Sequence, residues 1–461
     1  MCIRDRNLHD TATGSIRPIA PEGAPVVSMY VCGPTVYDLP HLGHGRYVLV
    51  WDIARRVLLA TGHDVRFVSN ITDIDDNIIN RATEEGRTEA EVAAEFEERW
   101  FEALDALSVL RPTEVPHATA YVEEMVALIG RLMDRDVAYR TSDGVYLDVS
   151  AVSDYGLLAG QPLDQLRAGA RIATIDEKRS PLDFVLWKDA KDGEPRWDAP
   201  FGAGRPGWHT ECVVMSLNLL GEGFDLHTGG QDLKFPHHEN ERAQAVADGK
   251  VFANHWAHSG WVMVGAEKMS KSLKNFTSLT DLLATHDARA YRLLCVQSHY
   301  RAPLEVTADT IAAAEAALAR LDNLARRLDV PALPAGPVVL ADHGGDPDAL
   351  AAFVAALEDD LDTPRAFAQV ATLVSAANSA ADDGDLEGAK ALARTVAILL
   401  GVLGITLHAA TDVDDDAAAL AAARDAARAA KDWAEADRLR GALEALGYIV
   451  EDRGGATTLH R

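Results

Sequence analysis

Two histidines separated by a leucine and a glycine, His41 and His44, offer the first chemistry in this sequence. Imidazole N–H groups can donate hydrogen bonds to phosphate oxygens, and Gly43 would let a ligand approach the backbone closely. The segment follows an apolar run and precedes a helical pattern, which is where open α/β sheets bind nucleotides. The alternative is an ordinary strand-to-helix turn that carries two histidines.

A second candidate for phosphate chemistry lies far downstream, where Lys268 and Lys271 belong to the segment KMSKS. Lysine ammonium groups are mobile point charges that suit a pyrophosphate leaving group. The small hydroxyl residues of the segment favour a flexible loop with additional donors. A solvated surface loop is the alternative interpretation.

A metal site is the third possibility. His237 and Glu241 are four residues apart and would share one face of a helix. With Cys32 and Cys212 they would make a set of sulfur, imidazole and carboxylate ligands, which favours zinc over calcium or magnesium. The spacing leaves His238 an equal candidate, and buried cysteine without a metal remains the alternative.

The elements that must position these residues begin with a βαβ unit. Residues 26 to 31 (VVSMYV) are typical of a buried strand, residues 47 to 62 have helical spacing that closes on Gly62, and residues 64 to 72 alternate like a strand. Strand, helix and strand in this order predict a doubly wound α/β sheet.

Helices dominate much of the remaining chain. The pattern predicts one long amphipathic helix over residues 84 to 111 and another over 117 to 136, followed by an irregular insertion at about 137 to 207. Sheet-like segments return at GFDLHTGG and HWAHSGWVMV. After about residue 307 an Ala-rich helical pattern takes over, and the chain ends in a helical pair, a strand and a polar tail.

We therefore predict an N-terminal segment and three folded parts. They are residues 1 to 25, an α/β catalytic part at 26 to 303 that includes the insertion and the KMSKS loop, a helical bundle at 304 to 410, and a C-terminal module at 411 to 461. The opening letters MCIRDR fit neither a strand nor a helix start, and we assign them no structural role.

The charge balance restricts the class of partner. A net charge of −27 over 461 residues argues against a general nucleic-acid binder, but it leaves room for a local basic patch. Four cysteines are too few for a disulfide framework. No apolar run approaches the roughly 20 residues that cross a bilayer, and no signal pattern opens the chain. We expect a cytoplasmic location and no membrane partner.

The motifs together resemble a known family. HLGH and KMSKS resemble the paired signatures of class I aminoacyl-tRNA synthetases, and the segments MYVCGPTVYDLPHLGHGR, NITDIDDNII, GRPGWHTEC, FPHHENE and EKMSKSL are similar to the cysteinyl-tRNA synthetase family. The resemblance covers essentially the whole chain and implies a Rossmann-like parallel-sheet catalytic domain with an insertion, a helical bundle and a small anticodon-binding module. Four positions depart from the family pattern: Leu42, Thr228, Lys274 and Leu459. We expect Thr228 to crowd the adenylate pocket.

The same resemblance implies roles for individual residues. It implies one zinc ion per subunit, held by Cys32, Cys212, His237 and Glu241. It implies that His41, His44, Lys268 and Lys271 are catalytic, and that His41, Gly43, His44 and Lys271 bind ATP, which enters with Mg²⁺. It implies a cysteine pocket formed by Thr72, Trp208, His227 and Asp232, where the structural alternative is core packing of Trp208.

In the C-terminal module, the resemblance implies that Arg428, Trp433, Asp437 and Asp452 read the anticodon. An exposed tryptophan can stack on an unpaired base, and Asp and Arg can read base edges. Solvated helix charges and a core tryptophan are the alternatives. The net acidity would be offset locally by a basic stripe, which consists of Arg424, Arg428, Lys431, Arg438 and Arg440.

The function implied by the resemblance is activation of L-cysteine with ATP, followed by transfer of cysteine to the 3′-terminal ribose of tRNA(Cys) by a monomer. One alternative is the related cysteine ligase of mycothiol biosynthesis, which passes cysteine to an amino sugar. The complete C-terminal module and the intact HHENE segment favour the synthetase. A non-enzymatic RNA-binding regulator is the other alternative, but it would be expected to have lost a signature lysine or a zinc ligand.

Overall fold

A computed structural model describes residues 6–21, 23–160, 177–264, 267–268, 278–334, 336–408, 415–453 and 456–460. The strands in chain order, β1 to β15, are Asn7–Asp10, Ser15–Pro18, Val26–Val31, Asp64–Ser69, Ala138–Arg140, Gly144–Leu147, Phe184–Asp189, Gly204–Pro206, Phe224–Gly230, Ala253–Ser259, Val262–Val264, Glu267–Lys268, Leu304–Glu305, Ile449–Arg453 and Ala456–His460. The α-helices, α1 to α14, are Leu42–Ala60, Asp76–Glu85, Glu89–Ala106, Val122–Asp134, Trp208–Leu220, Glu239–Ala247, Leu279–Thr285, Ala288–Val296, Ala308–Leu328, Pro347–Leu357, Thr363–Asp382, Leu386–Val402, Asp415–Ala429 and Trp433–Ala445.

The central sheet confirms the doubly wound prediction. Its four strands run in the order β10-β9-β3-β4, and every neighbouring pair is parallel. Side chains along β3 alternate between two cores, because successive residues of a strand point to opposite faces. Met29 and Val31 pack on the face that α1 covers, whereas Tyr30 and Cys32 pack on the other. This alternation decides which side of the sheet receives the Cys32 thiol.

The helix predicted over residues 84 to 111 is confirmed for α3, Glu89–Ala106, but its predicted start was wrong, because residues 84 and 85 belong to the end of α2. Helix α2 ends at Gly86, which adopts a left-handed φ of 65°, and α3 begins after Thr88. The hydroxyl of Thr88 accepts from the backbone N–H of Glu91, and the Glu91 carboxylate accepts from the N–H of Thr88, so the two residues form a capping box. The stop and start signals therefore lie within four residues and interrupt the apolar pattern.

The segment predicted to be an irregular insertion holds a sheet of its own. Strands β5, β6, β7 and β8 form an antiparallel sheet in that order. Its last strand ends at Pro206, and α5 begins two residues later at Trp208. The end of the insertion sheet therefore determines where Trp208 lies, at the edge of the central sheet.

The C-terminal part consists of the helical pair α13 and α14 and an antiparallel hairpin of β14 and β15. The predicted polar tail is thus a second strand. Leu459 is buried beside Leu443 and Tyr448 in a small apolar core, so this departure from the family pattern serves packing.

Across the described ranges, no helix combines the length and the apolarity that crossing a bilayer would require.

Candidate active site

The segment HLGH forms the N-terminal cap of α1. The ring of His41 accepts a hydrogen bond from the backbone N–H of His44 at 3.2 Å, and the ring of His44 accepts from the N–H of His41 at 3.3 Å. The two rings stack with centroids 3.6 Å apart. Both imidazoles are therefore fixed at the positive end of a helix dipole, where phosphate binding is favoured.

Gly43 also serves the packing of this cap, which the sequence did not indicate, and its role toward ATP stays a prediction. A side-chain carbon on Gly43 would lie 2.9 Å from the ring of His41. The absence of a side chain therefore makes room for the stacked histidine ring, in addition to any ligand. Gly43 still contributes to the wall of the cleft described next.

A cleft of about 470 Å³ opens at the carboxyl ends of the parallel strands. Its wall includes Cys32, His41, His44, Trp208, Asp232 and Trp261. Open α/β sheets bind ligands at this edge, where the strand order reverses direction. The cleft joins the capped end of α1 to a group of buried metal-ligand residues.

That group consists of the four residues predicted to bind zinc. One ligand atom each from Cys32, Cys212, His237 and Glu241 lies within 4.8 Å of the others, and all four residues are buried. The two sulfurs are 3.7 Å apart, and Cys32 Sγ lies 3.4 Å from Glu241 Oε1. His237 Nε2 approaches the same carboxylate oxygen at 2.7 Å.

Three separate elements bring these donors together. Cys32 directly follows β3, and the adjacent Gly33 N–H donates to the side-chain oxygen of Asn70 at 2.9 Å. Cys212 lies one turn after Trp208 on α5. His237 lies in the kinked segment Lys234–His238, which leads into α6 and Glu241.

The charges of the group are strongly coupled. A hydrogen bond from the Cys32 thiol lowers the pKa of Cys212 to about 6, although burial opposes the ionised sulfur. Burial disfavours a charged His237, but the Glu241 carboxylate and the Cys212 sulfur together raise the pKa of His237 to about 10. Burial also opposes ionisation of Glu241, yet His237 and His227 hold its pKa well below the usual range. A thiolate and a carboxylate buried together suit a cation, so the donor set fits a metal ion.

A second grouping shares two of these donors. Cys32 and Glu241 also lie within 4.8 Å of ligand atoms of His227 and His238. His238 Nδ1 is 2.8 Å from His258 Nε2, and His227 Nε2 is 2.6 Å from Glu241 Oε2. The geometry therefore brings His238 to the site, as the spacing alone had allowed, but in the grouping that does not include Cys212.

The four residues predicted to form the cysteine pocket fall into two pairs. Trp208 and Asp232 are exposed and line the cleft, and the Trp208 ring stacks on His237 at 3.9 Å. Thr72 and His227 are buried. The Thr72 hydroxyl donates to Glu211 at 2.8 Å, and His227 contacts the Glu241 carboxylate. Only the first pair faces the cleft in this arrangement.

The expected crowding by Thr228 is not seen. This residue is buried within β9, and its hydroxyl lies 3.4 Å from the carbonyl oxygen of Tyr30. It is absent from the described wall of the cleft.

The backbone of Lys268 pairs with Met263 in the β11–β12 ladder, whereas Lys271 and Lys274 lie outside the described residues.

The sequence patterns did not indicate two residues that lie at the site, Tyr47 and Glu211. Tyr47 lines the cleft one turn after His44. Residues three apart on a helix share a face, so the distance of Tyr47 from His44 in the sequence could have indicated it. Glu211 precedes Cys212, is buried, and accepts the Thr72 hydroxyl. No signal in the sequence separates this carboxylate from an exposed helix charge.

Comparisons with known proteins address the chain as a whole. The family model of the class I (C) tRNA synthetase catalytic domain matches residues 19–316, a DALR domain matches 352–408, and the cysteinyl-tRNA ligase anticodon-binding domain matches 410–458. A Cysteine–tRNA ligase of Vibrio cholerae is 43% identical and spans 98% of this chain and 99% of its own. One from Delftia acidovorans is 45% identical over 99% of this chain and 98% of its own.

The chain belongs to the cysteinyl-tRNA ligase family. Solved structures of related enzymes share its fold. A Mycobacterium tuberculosis methionyl-tRNA synthetase superposes with a TM-score of 0.58 at 16% identity, covering 82% of this chain and 89% of that one. An Agrobacterium radiobacter leucyl-tRNA synthetase superposes at 0.57 with 12% identity, covering 84% of each chain. The class I synthetase fold is thus shared well beyond the family.

Within the part that matches the family's anticodon-binding domain, the predicted residues differ in environment. Trp433 is 62% exposed at the first turn of α14, and Asp437 is exposed one turn later. Arg428 pairs with Asp452 at 2.7 Å. The tryptophan is therefore a surface residue rather than a core anchor.

The predicted basic stripe is largely neutralised by acidic neighbours. Arg424 is buried and pairs with Asp452 at 2.6 Å. Arg438 pairs with Glu435 at 2.6 Å, and Arg440 pairs with Glu444 at 3.0 Å. The sequence pattern showed the cations of the helices but gave too little weight to carboxylates one turn away.

Proposed function

We propose that the chain activates L-cysteine with ATP, forming cysteinyl-adenylate and pyrophosphate, and then transfers cysteine to the 3′-terminal ribose of tRNA(Cys). The observation that carries this proposal is the position of Cys32. It belongs both to the buried donor group and to the wall of the cleft that His41 and His44 border. A thiol-recognition site and a phosphate-binding helix terminus therefore share one cleft.

We propose that one zinc ion is held by Cys32, Cys212, His237 and Glu241. Two sulfurs with imidazole and carboxylate are a typical zinc donor set, whereas the second grouping offers a single sulfur. When bound, zinc would hold the substrate sulfur as a thiolate, which distinguishes cysteine from serine. His227 would act through the Glu241 carboxylate that it contacts, since its own ring is fully buried.

The two cleft-facing residues would orient the rest of the amino acid. The Asp232 carboxylate is suited to the substrate ammonium group, and the Trp208 ring would form an apolar wall over the side chain. Because Trp208 stacks on His237, the wall is fixed relative to the metal donors. Thr72 would support the pocket from behind through Glu211.

The phosphate side of the cleft would stabilise the charge that develops as pyrophosphate leaves. The cap of α1 presents His41 and His44 at a helix N-terminus. We propose that Lys268 and Lys271 supply the remaining positive charge and that ATP enters with Mg²⁺. The cysteine carboxylate would attack the α-phosphorus, and the terminal 2′ hydroxyl of the tRNA would then attack the adenylate.

We further propose that the exposed face of α14 reads the anticodon. Trp433 is available for stacking on an unpaired base, and Asp437 lies beside it. The pairing of Arg428 with Asp452 would set the direction of both side chains toward the RNA.

The decisive experiment measures two reactions of the purified chain. Pyrophosphate exchange into ATP should depend on cysteine and not on serine, and purified tRNA(Cys) should then become charged. An amino-sugar acceptor in a parallel reaction tests the alternative ligase. Cysteine-dependent exchange with no charging of tRNA would defeat the proposal.

We propose that the enzyme acts as a cytoplasmic monomer. Sedimentation equilibrium with and without tRNA measures the first property, and fractionation of the source cells measures the second. A stable dimer in the absence of tRNA would contradict the monomer.

A further inference from the structure

A buried carboxylate in the helical bundle contacts the catalytic half of the molecule. Asp360 lies between α10 and α11 and is 4% exposed. Its Oδ1 accepts from the backbone N–H of His9 at 2.8 Å and from the hydroxyl of Tyr300 at 2.8 Å. Its Oδ2 accepts from Arg301 Nε at 2.9 Å. One side chain thus joins β1, the bundle and the segment that precedes β13.

The backbone at this position is strained. Asp360 and Leu361 have φ angles of 56° and 50°, in the left-handed region that a branched side chain such as leucine rarely adopts. Consecutive residues of this kind persist only where the surroundings over-determine them. The N–H of Asp360 also donates to the Asn7 carbonyl at 3.1 Å. The loop therefore holds the carboxylate in one fixed direction.

Two of the residues that Asp360 contacts, Tyr300 and Arg301, lie in a turn behind the cleft. We define residues 299 to 302 as the cleft turn. The carbonyl of Tyr300 accepts from the N–H of Gly260 at 2.7 Å, and Gly260 belongs to the cleft wall with Trp261. A side-chain carbon on Gly260 would lie 2.4 Å from the Ala302 carbonyl oxygen. The wall and the turn are thus in direct backbone contact.

The cleft turn also contacts the helix that follows HLGH. Arg46, buried on α1, donates to the carbonyl of Tyr300 at 3.2 Å and to that of Ala302 at 2.8 Å. Just beyond the turn, β13 pairs with β11, and β11 pairs with β12, whose second residue is Lys268. The turn therefore connects α1, which carries His44, to the strand ladder that contains Lys268.

We propose that Asp360 is a positioning residue that fixes the cleft turn, and through it the phosphate side of the active-site cleft. The helical bundle would thereby control the adenylation step without touching a substrate. This inference rests on the proposed function and deepens it, since it assigns a remote carboxylate to one side of the same cleft.

The substitution Asp360→Asn tests the proposal. Asparagine also tolerates a left-handed φ and keeps one acceptor oxygen, but it loses the charge that binds Arg301. We expect kcat/KM for ATP in cysteine-dependent exchange to fall about tenfold, since small displacements of positioning groups have effects of this size or larger. The KM for cysteine should not change, because the metal donors lie on other elements.

The matched control is Asp359→Asn. Asp359 is exposed and pairs with Arg365 at 3.2 Å on the surface. The same chemical change one residue earlier should therefore leave both constants at their wild-type values. If Asp360→Asn does not fold, Tyr300→Phe removes a single hydrogen bond to the carboxylate and should shift kcat/KM for ATP in the same direction.

Deuterium exchange supplies a readout that is independent of activity. In Asp360→Asn, amide exchange should accelerate in peptides that cover residues 257–264 and 299–306, while peptides of α5 and α6 stay unchanged. Equal acceleration of amide exchange in all peptides would overturn the proposal. Wild-type kcat/KM for ATP in both Asp360→Asn and Tyr300→Phe would also overturn it. A wild-type chain without cysteine-dependent exchange would instead defeat the proposed function, and the deuterium experiment would still decide the role of Asp360.

Discussion

The metal-donor group and the exposed face of α14 both consist of polar side chains, but they are held in opposite ways. Each of the four metal-donor residues is at most 2% exposed, and their ligand atoms contact one another. Trp433 is 62% exposed, and the neighbouring charges form local pairs at the surface. Burial of the donors without a ligand would lower the free energy of unfolding, whereas the surface residues keep their hydration and hardly change it.

This difference determines where each region should show its effects. A buried group of thiolate, imidazole and carboxylate has lost the hydration of its charges, and a bound metal cation would compensate that loss. An exposed aromatic residue contributes when a base stacks on it. Changes at the metal site should therefore alter both folding and activation, and changes on α14 should alter only the reaction with tRNA.

Removal of the metal should produce the largest effect. A ligand present at about 1,000 times its Kd stabilises a fold by about 4 kcal/mol, so its removal should lower the unfolding midpoint of a chain of this size by roughly 5 °C. Scanning calorimetry before and after chelation measures the change, and cysteine-dependent exchange should be lost. Added zinc should restore both properties, and added magnesium should not. Equal midpoints with and without chelator would remove the distinction between the two regions.

The next largest effect is expected for Cys212→Ser. A serine hydroxyl is a poor zinc ligand, so exchange should fall by about 100-fold or more, given that even outer partners of a metal site contribute 10- to 100-fold. Metal content per chain, measured by mass spectrometry, should fall in parallel. Cys295→Ser is the matched control, because this thiol is also buried but lies on α8, in the other hydrophobic core. A full complement of zinc in Cys212→Ser would contradict the assignment.

A smaller and more selective effect is expected for Trp433→Ala. Loss of one stacked base should lower kcat/KM for tRNA about tenfold, while cysteine-dependent exchange and the unfolding midpoint stay unchanged. Leu446→Ala, at the exposed end of the same helix, should leave charging intact. A parallel loss of exchange would show that the two regions are not separate in function.

The smallest effects are expected on the stability of the C-terminal part, where a buried and an exposed arginine can be compared. Arg424→Gln should destabilise this part by about 1 to 3 kcal/mol, because its buried guanidinium bonds Asp452 and Thr457. Arg438→Gln should not measurably change stability, since its pair with Glu435 is exposed. Urea unfolding of both variants measures the contrast, and equal losses would contradict it.

The sequence by itself determined the chemistry that is present and the local structure around it. The spacing of apolar residues predicted β3, α1 and β4, and the motifs that resemble the family pointed to four residues whose ligand atoms the fold brings within 4.8 Å of one another. Such features depend on neighbours within a few residues, which is why helix and strand periodicity could reveal them. The capping box at Thr88 was equally local, and was missed within a continuous apolar pattern.

Only the tertiary structure decided which distant residues meet. It placed Cys32 within 3.7 Å of Cys212, which is 180 residues away. It turned His227 toward Glu241, paired the cations of the basic stripe, and directed Asp360 to the cleft turn. The order of strands and the direction of buried side chains follow from the packing of the whole chain, in which each face must be covered and each buried polar group must find a partner. No stretch of sequence contains that information by itself.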